Sequence, residues 1–508
     1  MKKSIRKLPF WIAFFALTSL VTRVVLLFFY NSNFGGVDQN VIYGIQRLLL
    51  GEPLYQDTES GLYAIMQYTP LYYYVVYGIS RLFGIGAYEV QSIYILTRSI
   101  ALVFSLATVG MAVLTIKIYY PQKHLLWLLG FGAMIIPTSH YFLRGDSLHF
   151  FLFASSVYFF ILYTYHHKWL FFFLSSFLAA LAILTKQSGI LLPFIIGFYL
   201  LFIEKKIIKS FVFGVFCVLI GWFLLHFLIH GEYLLFYKNA YLGLKNGFSI
   251  SFWIDMFSSQ FYLDIFPHYI LGMLMVYLFL FKNIAKEHKF NAYAILLSLL
   301  FAMLTGLKIG SSSNYFTEFM YMILISVPLL IRYNYIYYSF ENPKIQRINI
   351  YNITLFALYV FYLSRGVALF SSVFIERWMK SYHNEYLTHQ KIYWYLKNEK
   401  KIKNEEYLFC TFRGFTDNFF IKNQLLATKD VVSQVYLANP NTFNYQLIIE
   451  KQNKGLFKYI ITDAENKELL YKDIAIPFIK LDKNSFTLIK IIDTYAIYEY
   501  KASTSKLF

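Results

Sequence analysis

Runs of about twenty apolar residues recur along this chain. Examples are "IAFFALTSLVTRVVLLFFY" at 12–30, "WLFFFLSSFLAALAILT" at 169–185 and "FVFGVFCVLIGWFLLHFLI" at 211–229. That length matches the bilayer hydrocarbon core, about 30 Å crossed at about 1.5 Å per helical residue. No other feature restricts the fold as severely. Inside lipid every backbone N–H and C=O must be satisfied within the protein, which leaves helices or a closed barrel. The runs are continuous rather than alternating, so they select helices.

The runs place about eleven spans, at 9–29, 93–116, 124–141, 147–165, 169–185, 188–203, 208–229, 265–282, 291–307, 317–333 and 348–366. The composition agrees. Charged residues make up 15% of the chain, where a soluble protein carries nearer a quarter, and mean hydropathy is +0.49. The basic start at 1–7 precedes an apolar run too long for a signal peptide and without a small-residue cleavage site, so the first run is expected to stay as a span.

A net charge of +18 would suggest nucleic acid in a soluble protein. Here Lys and Arg sit in short loops, so the charge describes topology and contact with anionic membrane lipid, not nucleic acid. Sixteen of them, from Lys2 to Arg347, fall on the N-terminal side of the expected membrane. Three, Arg144, Lys186 and Lys308, occupy the short loops opposite. The positive-inside rule then puts the N-terminus in the cytoplasm, and an odd span count puts the C-terminus outside, in a multi-pass protein of the cell membrane.

Three segments are more than loops. Residues 30–92 carry two helical patterns, "DQNVIYGIQRLLLGEPLY" and "YTPLYYYVVYGISRLFG", short enough to lie in the interface. Residues 230–264 are aromatic and amphipathic. From about 385 the composition turns mixed and charged, and "EEYLFCTF", "FKYIITD", "FTLIKII" and "YAIYEYK" have strand patterning, with a helix near 440–453. The expected fold class is therefore an α-helical polytopic membrane protein with interfacial helices in its outer loops and a small extracytoplasmic α/β domain. The expected division is a transmembrane domain at 1–370 and a terminal domain at 385–508. Cys217 and Cys410 lie in different environments, and no zinc-ligand spacing is present, so neither a disulfide framework nor a metal site is expected.

Unusual polar residues gather on the expected outer face: "GGVDQN" at 35–40, "FLRGDSLHFFLF" at 142–153, "LTKQSGILLP" at 184–193, "LKIGSSSNYFTEFM" at 307–320, and Arg98 near the outer end of its span. Each has an ordinary explanation. Asp38 fits a helix N-cap, Arg144 and Asp146 a pair or cap, and Lys186 a snorkelling lysine. Asn314 and Glu318 are spaced as a helix-end pair, and His149 fits a core histidine. Together they ask for more, because ionisable groups near lipid cost several kcal/mol unless paired or wet. One carboxylate with several cations suits transfer of a group off a phosphate. The carboxylate accepts a proton from the attacking hydroxyl, and the cations stabilise charge on the departing phosphate.

In these motifs the chain resembles the GT-C superfamily of membrane glycosyltransferases, especially the polyprenyl-phosphate-sugar-dependent branch that includes protein O-mannosyltransferases and aminoarabinose transferases. The resemblance runs nearly end to end: Asp38 after the first span, "LLLGEPLYQD" at 48–57, "YTPLYYY" at 68–74, Arg98, "RGDSL" at 144–148, "TKQSGILLP" at 185–193, "GSSSNYFTE" at 310–318, then the α/β tail. It implies an inverting transferase with Asp38 as general base and a polyprenyl-phosphate sugar as donor. The acceptor would be a glycan, lipid or protein hydroxyl, and no cofactor is implied. Arg144, Lys186 and Arg98 are the expected phosphate ligands. Tyr68, Asp146, Gln187, Asn314, Tyr315 and Glu318 are the expected pocket lining. The chain departs from the family in having Asp38-Gln39 in place of an acidic pair, which leaves one carboxylate where two would hold a divalent metal. It also has Thr69-Pro70 where aminoarabinose transferases carry a lysine, which argues against that sugar. A flippase or transporter and an O-antigen ligase or polymerase are the alternatives. A transporter would keep its polar site near the midplane of repeated halves, and no repeat is present.

Overall fold

A computed structural model describes residues 38–57, 65–119, 145–244, 247–259, 266–281, 286–309, 311, 313–341, 382–403, 406–410, 428–429, 450, 454–463 and 486–501, with isolated positions before residue 38. The spans expected at 9–29, 124–141 and 348–366 lie wholly or mostly outside these residues, as does the helix expected near 440–453.

Two short helices form where the first long loop was patterned for them: α1 (Asp38–Leu49) and α2 (Leu71–Leu82). In α1, residues 41–48 are buried on every face; Val41, Ile42, Ile45 and Leu48 form its apolar stripe, and Gln46 and Arg47 are buried on hydrogen bonds to the Ala87 and Leu54 carbonyls. Arg47 sits in its last turn, donates to the Leu54 carbonyl at 3.2 Å and lies 4.7 Å from the Tyr43 ring. Helix α2 starts directly after Pro70, whose fixed φ and missing N–H suit that place.

The bundle follows: α3 (Val90–Tyr119), α4 (Asp146–His166) and α5 (Trp169–Thr185). His167, in the left-handed conformation at φ 54°, turns α4 into α5. The pair is held by reciprocal hydrogen bonds: the Ser156 hydroxyl donates to the Ser175 carbonyl at 2.9 Å, and Ser175 returns the bond at 2.8 Å. Small hydroxyl residues let helix backbones approach closely in lipid. Helix α7 (Ile207–Leu228) packs on α5, where Ser176 donates to the Phe213 carbonyl at 2.9 Å. Its other faces expose Phe211, Val218, Leu219, Trp222 and Phe227, a surface suited to lipid.

The span expected at 188–203 is not one regular helix. Gln187–Ile190 is 3₁₀, α6 (Leu191–Phe198) is α-helical, and Tyr199–Ile203 is π-helical. A short α8 (Tyr233–Phe236) and α9 (Ile250–Ser259) lie in the expected amphipathic loop. Then come α10 (Phe266–Phe281), α11 (Lys286–Gly306) and α12 (Thr317–Glu341). Among the described residues, α3, α4, α7 and residues His288–Gly306 of α11 are long and apolar enough to cross a membrane, and α5, 187–203 and 268–281 are shorter apolar helices.

After α13 (Tyr382–Trp394) the chain forms a five-stranded sheet. Its strands are β1 (Tyr407–Cys410), β2 (Thr428–Lys429), β3 (Tyr459–Asp463), β4 (Phe486–Ile492) and β5 (Tyr495–Tyr500). The order is β2-β1-β3-β5-β4, parallel from β2 to β3 and antiparallel beyond. All four expected strands are present. Tyr393, Leu396, Ile461, Tyr495 and Ile497 form the local core.

Two carboxylates stiffen this part. Asp493 accepts from Lys391 at 2.8 Å and Thr388 at 2.6 Å, and these bonds hold its carboxyl below the usual range. Burial pushes Glu499 up, but Lys400 and Tyr459, at 2.8 and 3.0 Å, outweigh it and hold its carboxyl low as well. Groups depressed on folding contribute stability above their unfolded values, near pH 4, and lose it as pH falls through the lower folded values. The protection of amides across β3–β5 in the full-length protein, measured against intrinsic exchange rates at each pH, should therefore fall as pH drops below about 4. The double variant Asp493→Asn/Glu499→Gln should flatten that dependence, and an unchanged profile would assign it to other groups.

Candidate active site

Four helix ends meet. Asp146 opens α4, where the helix dipole favours a carboxylate, and His149 follows one turn later. Lys186 directly follows α5. Glu318 is the second residue of α12, and Tyr315 lies in the preceding 3₁₀ turn Ser313–Phe316. Lys308 follows the C-terminal end of α11. The antiparallel α4–α5 hairpin brings Asp146 and Lys186 to the same side.

The pairs are direct. Lys186 Nζ donates to Asp146 Oδ1 at 2.5 Å and lies 5.4 Å from the Tyr315 ring. His149 Nε2 is 3.0 Å from Glu318 Oε1 and 3.5 Å from Ser188 Oγ. Relative exposures of 2% for Asp146, 0% for His149, 9% for Lys186 and 5% for Glu318 make these buried pairs, whose removal one partner at a time is costly. Burial pushes the Lys186 ammonium down, and the carboxylates of Asp146 and Glu318 outweigh it, so Lys186 titrates above the ordinary lysine range.

The turn that carries Lys186 is fixed by glycine. A Cβ on Gly189 would lie 2.4–2.5 Å from backbone atoms of Ala182 and Ile183, so the 3₁₀ turn folds back onto α5 only with glycine there.

Beside this cluster, hydrogen bonds tie distant loop segments together. Gln187 Nε2 donates to the carbonyls of Gln67 and Ala240 at 2.9 and 2.8 Å. Gln67 donates to the Gly243 carbonyl at 3.0 Å. Asn239 accepts from the Met66 N–H and donates to the Gln56 carbonyl, each at 2.9 Å. Lys238 pairs with Asp57 at 3.1 Å.

Of the expected site residues, the structure brings together Asp146, Lys186, Tyr315 and Glu318. Lys186 is buried against Asp146 rather than snorkelling. Glu318 pairs with His149 across the bundle and Asp146 with Lys186, while the expected pairing of Asp146 with Arg144 involves a residue outside the described ones. Asn314 precedes Tyr315 and is half-buried. Gln187 uses both amide hydrogens on backbone carbonyls. The Tyr68 carbonyl accepts from Tyr55 at 2.7 Å, and Arg98 is buried on α3 with its guanidinium 5.3 Å from the Tyr94 ring. Asp38 is the first residue of α1; its side chain, and the whole of Arg144, lie outside the described residues. His149, paired with Glu318, was not among the expected site residues. The one available signal for His149 was its place one turn from Asp146 on the same face.

No protein-family model and no curated protein matches this sequence. Solved structures do match in fold. ArnT from Cupriavidus metallidurans, bound to undecaprenyl phosphate, aligns at TM-score 0.59 and 13% identity over 97% of this chain and 98% of that one. The archaeal oligosaccharyltransferase AglB from Archaeoglobus fulgidus, in complex with an inhibitory peptide and a dolichol-phosphate, aligns at TM-score 0.54 and 10% identity over 91% and 70%. An Archaeoglobus fulgidus oligosaccharyltransferase in complex with Zn and sulfate aligns at 0.53 and 12% over 89% and 68%. The chain thus shares its fold with these proteins.

Proposed function

We propose that the protein is a GT-C-type membrane glycosyltransferase that moves a sugar from a polyprenyl-phosphate carrier to an acceptor hydroxyl on the outer face of the membrane. One observation carries the reading: the fold matches that of ArnT bound to undecaprenyl phosphate almost end to end. The buried cluster of ionisable groups at shared helix ends adds support, as does the one-sided distribution of polar motifs in the sequence.

In this reading the acceptor hydroxyl gives its proton to Asp38. Its oxygen bonds to the anomeric carbon from the face opposite the phosphate, and the bond from that carbon to the phosphate oxygen breaks. The electron pair leaves on the phosphate, which stays on the lipid. Inversion follows from this single displacement. Lys186, oriented by Asp146, and Arg144 stabilise the departing phosphate, with Arg98 behind them. Tyr68, Tyr315, Asn314 and the His149–Glu318 pair form or brace the pocket. The hydrogen bonds around Gln187 keep two loop segments in place above it. The N-terminus is cytoplasmic and the terminal α/β domain at 385–508 is outside, where it selects the acceptor.

The test uses detergent-purified full-length protein and a panel of radiolabelled hexosyl and pentosyl polyprenyl monophosphates, with a membrane extract as acceptor. Release of polyprenyl phosphate in step with labelled product is expected for at least one donor. Movement of an intact donor across proteoliposomes without cleavage would make the protein a flippase. Cleavage of diphosphate donors alone would make it a ligase or polymerase.

A further inference from the structure

The α4–α5 hairpin has a second end, at His166 and Trp169. The 21 residues of α4 rise about 30 Å, so this end is a membrane thickness away from Asp146 and Lys186. Helix α7 starts here. Lys209, in its first turn, donates to the Tyr163 hydroxyl and lies 5.0 Å from the Tyr163 ring and 5.3 Å from the Trp169 ring. Trp169 is exposed, and tryptophan settles at the level of lipid headgroups. The corner marks a membrane surface.

The turn before α7 presents Lys205. The Glu204 N–H donates to the Tyr199 carbonyl at 3.1 Å and the Lys206 N–H to the Leu200 carbonyl at 2.8 Å. These bonds close the π-helical stretch and leave Lys205 at φ 55°, in the left-handed region where glycine would fit with less strain. Lys205 and Lys206 are both exposed. Glu204 pairs with Lys206 at 2.6 Å. Among the described residues Lys205 has no carboxylate partner, so the turn keeps one uncompensated positive charge.

Along α7 from this turn runs a groove. Ser210, Phe211, Gly214, Val215, Val218 and Leu219 line about 360 Å³ of almost wholly apolar space. They are successive i, i+4 neighbours and so form one stripe, about 14 Å long at about 1.5 Å per residue. Lys206 and Ile207 continue it by one turn toward the headgroups. Gly214 leaves the gap, since a Cβ there would meet nothing within 4 Å. The Ser210 hydroxyl is occupied, donating to the Gly197 carbonyl of α6 at 2.9 Å.

The charge selects the occupant. A second copy of this chain, inserted the same way up and docked by this stripe, would set its Lys205 and Lys206 beside those of the first at equal depth, and like charges so placed repel. An anionic phospholipid matches both parts, with a phosphate for the lysines and a chain for the groove. We infer that this corner of α7 binds one anionic phospholipid, its headgroup on Lys205 and Lys206 and an acyl chain in the groove over Gly214. The site lies at the far surface from the candidate active site, and its occupation does not depend on the transfer reaction.

Native mass spectrometry of the full-length protein in detergent tests this. The probes are dioleoylphosphatidylglycerol, dioleoylphosphatidylcholine with the same chains, and glycerol 3-phosphate with none. Thermal stability is measured without added lipid. The wild type should retain one phosphatidylglycerol at least about fivefold more tightly than phosphatidylcholine. Lys205→Gln should weaken that lipid about fivefold and Lys205→Glu about thirtyfold, at roughly a factor of five per charge near a membrane surface. Lys205→Arg should match the wild type. Gly214→Leu fills the groove and should also weaken retention, without loss of stability, because leucine favours a helix more than glycine does. Equal retention of the two phospholipids, or an unchanged Lys205→Gln, overturns the inference and makes the face ordinary lipid-facing surface. Binding of glycerol 3-phosphate alone overturns it in favour of a soluble anion. A dimer that Gly214→Leu splits, with lipid retention unchanged, overturns it in favour of a second copy. Should Gly214→Leu lower stability, the Lys205 variants, at an exposed residue, decide alone.

Discussion

Asp38→Asn should fold, insert and bind the lipid donor, yet transfer sugar at least about a hundredfold more slowly than the wild type in single turnover. Two roles compete for this residue, and the substitution separates them. Asp38 is the first residue of α1. As a helix cap it is replaceable, because Asn and Asp cap about equally well. As a base it is not, because a carboxamide takes up no proton at neutral pH, and general-base help is worth about a hundred- to ten-thousandfold. Asp38→Glu should retain a small part of the activity, with the carboxylate present but displaced. Single-turnover rates with donor saturating remove any change in affinity from the comparison. An Asn variant that transfers at the wild-type rate would leave Asp38 as a cap and require another base.

Lys186→Ala should fail differently. Removing Lys186 takes its ammonium away from a buried carboxylate, a change of the kind that costs about 3–5 kcal/mol. Asp146 is 97% enclosed at its side chain once Lys186 is in place, so the alanine variant should unfold at markedly lower temperature in detergent and accumulate poorly in cells. Asp146→Asn/Lys186→Met removes both charges at nearly constant volume and should recover most of that stability, since a paired charge set is often replaceable as a whole. Under the proposed chemistry the double variant should still transfer poorly, having lost a phosphate contact. A double variant that is both stable and fully active would make the pair a purely structural clasp. A single variant as stable as the wild type would show that Asp146 finds water or another partner.

The sequence made the helices legible wherever lipid dictates the pattern. The runs at 147–165, 169–185 and 208–229 reappear as α4, α5 and α7 with no end shifted by more than one residue, because hydrocarbon leaves no other way to satisfy the backbone. Strand alternation around Tyr459 and Tyr495 was equally plain. Hydropathy says nothing about pitch, so the change from 3₁₀ to α to π across 187–203 was invisible. So were the partners. Asp146 and Lys186 lie 40 residues apart, and His149 and Glu318 lie 169 apart. No local spacing encodes those pairs, and Asn314–Glu318 was only the nearest candidate in sequence.

The long-range bonds around Asn239 have a consequence for how the protein is made. The backbone of residues 56 and 66 is satisfied by a side chain 183 and 173 positions later. At about 5–20 residues per second, ribosomal synthesis delivers that asparagine roughly ten to forty seconds after the first loop has emerged. During that interval the Gln56 carbonyl and the Met66 N–H lack the partner they have in the folded chain, and water must serve in its place while α3, α4 and α5 are made. The nascent chain therefore passes through a prolonged stage in which its first loop awaits a partner still being translated, and ribosome pausing between α5 and α8 would lengthen it.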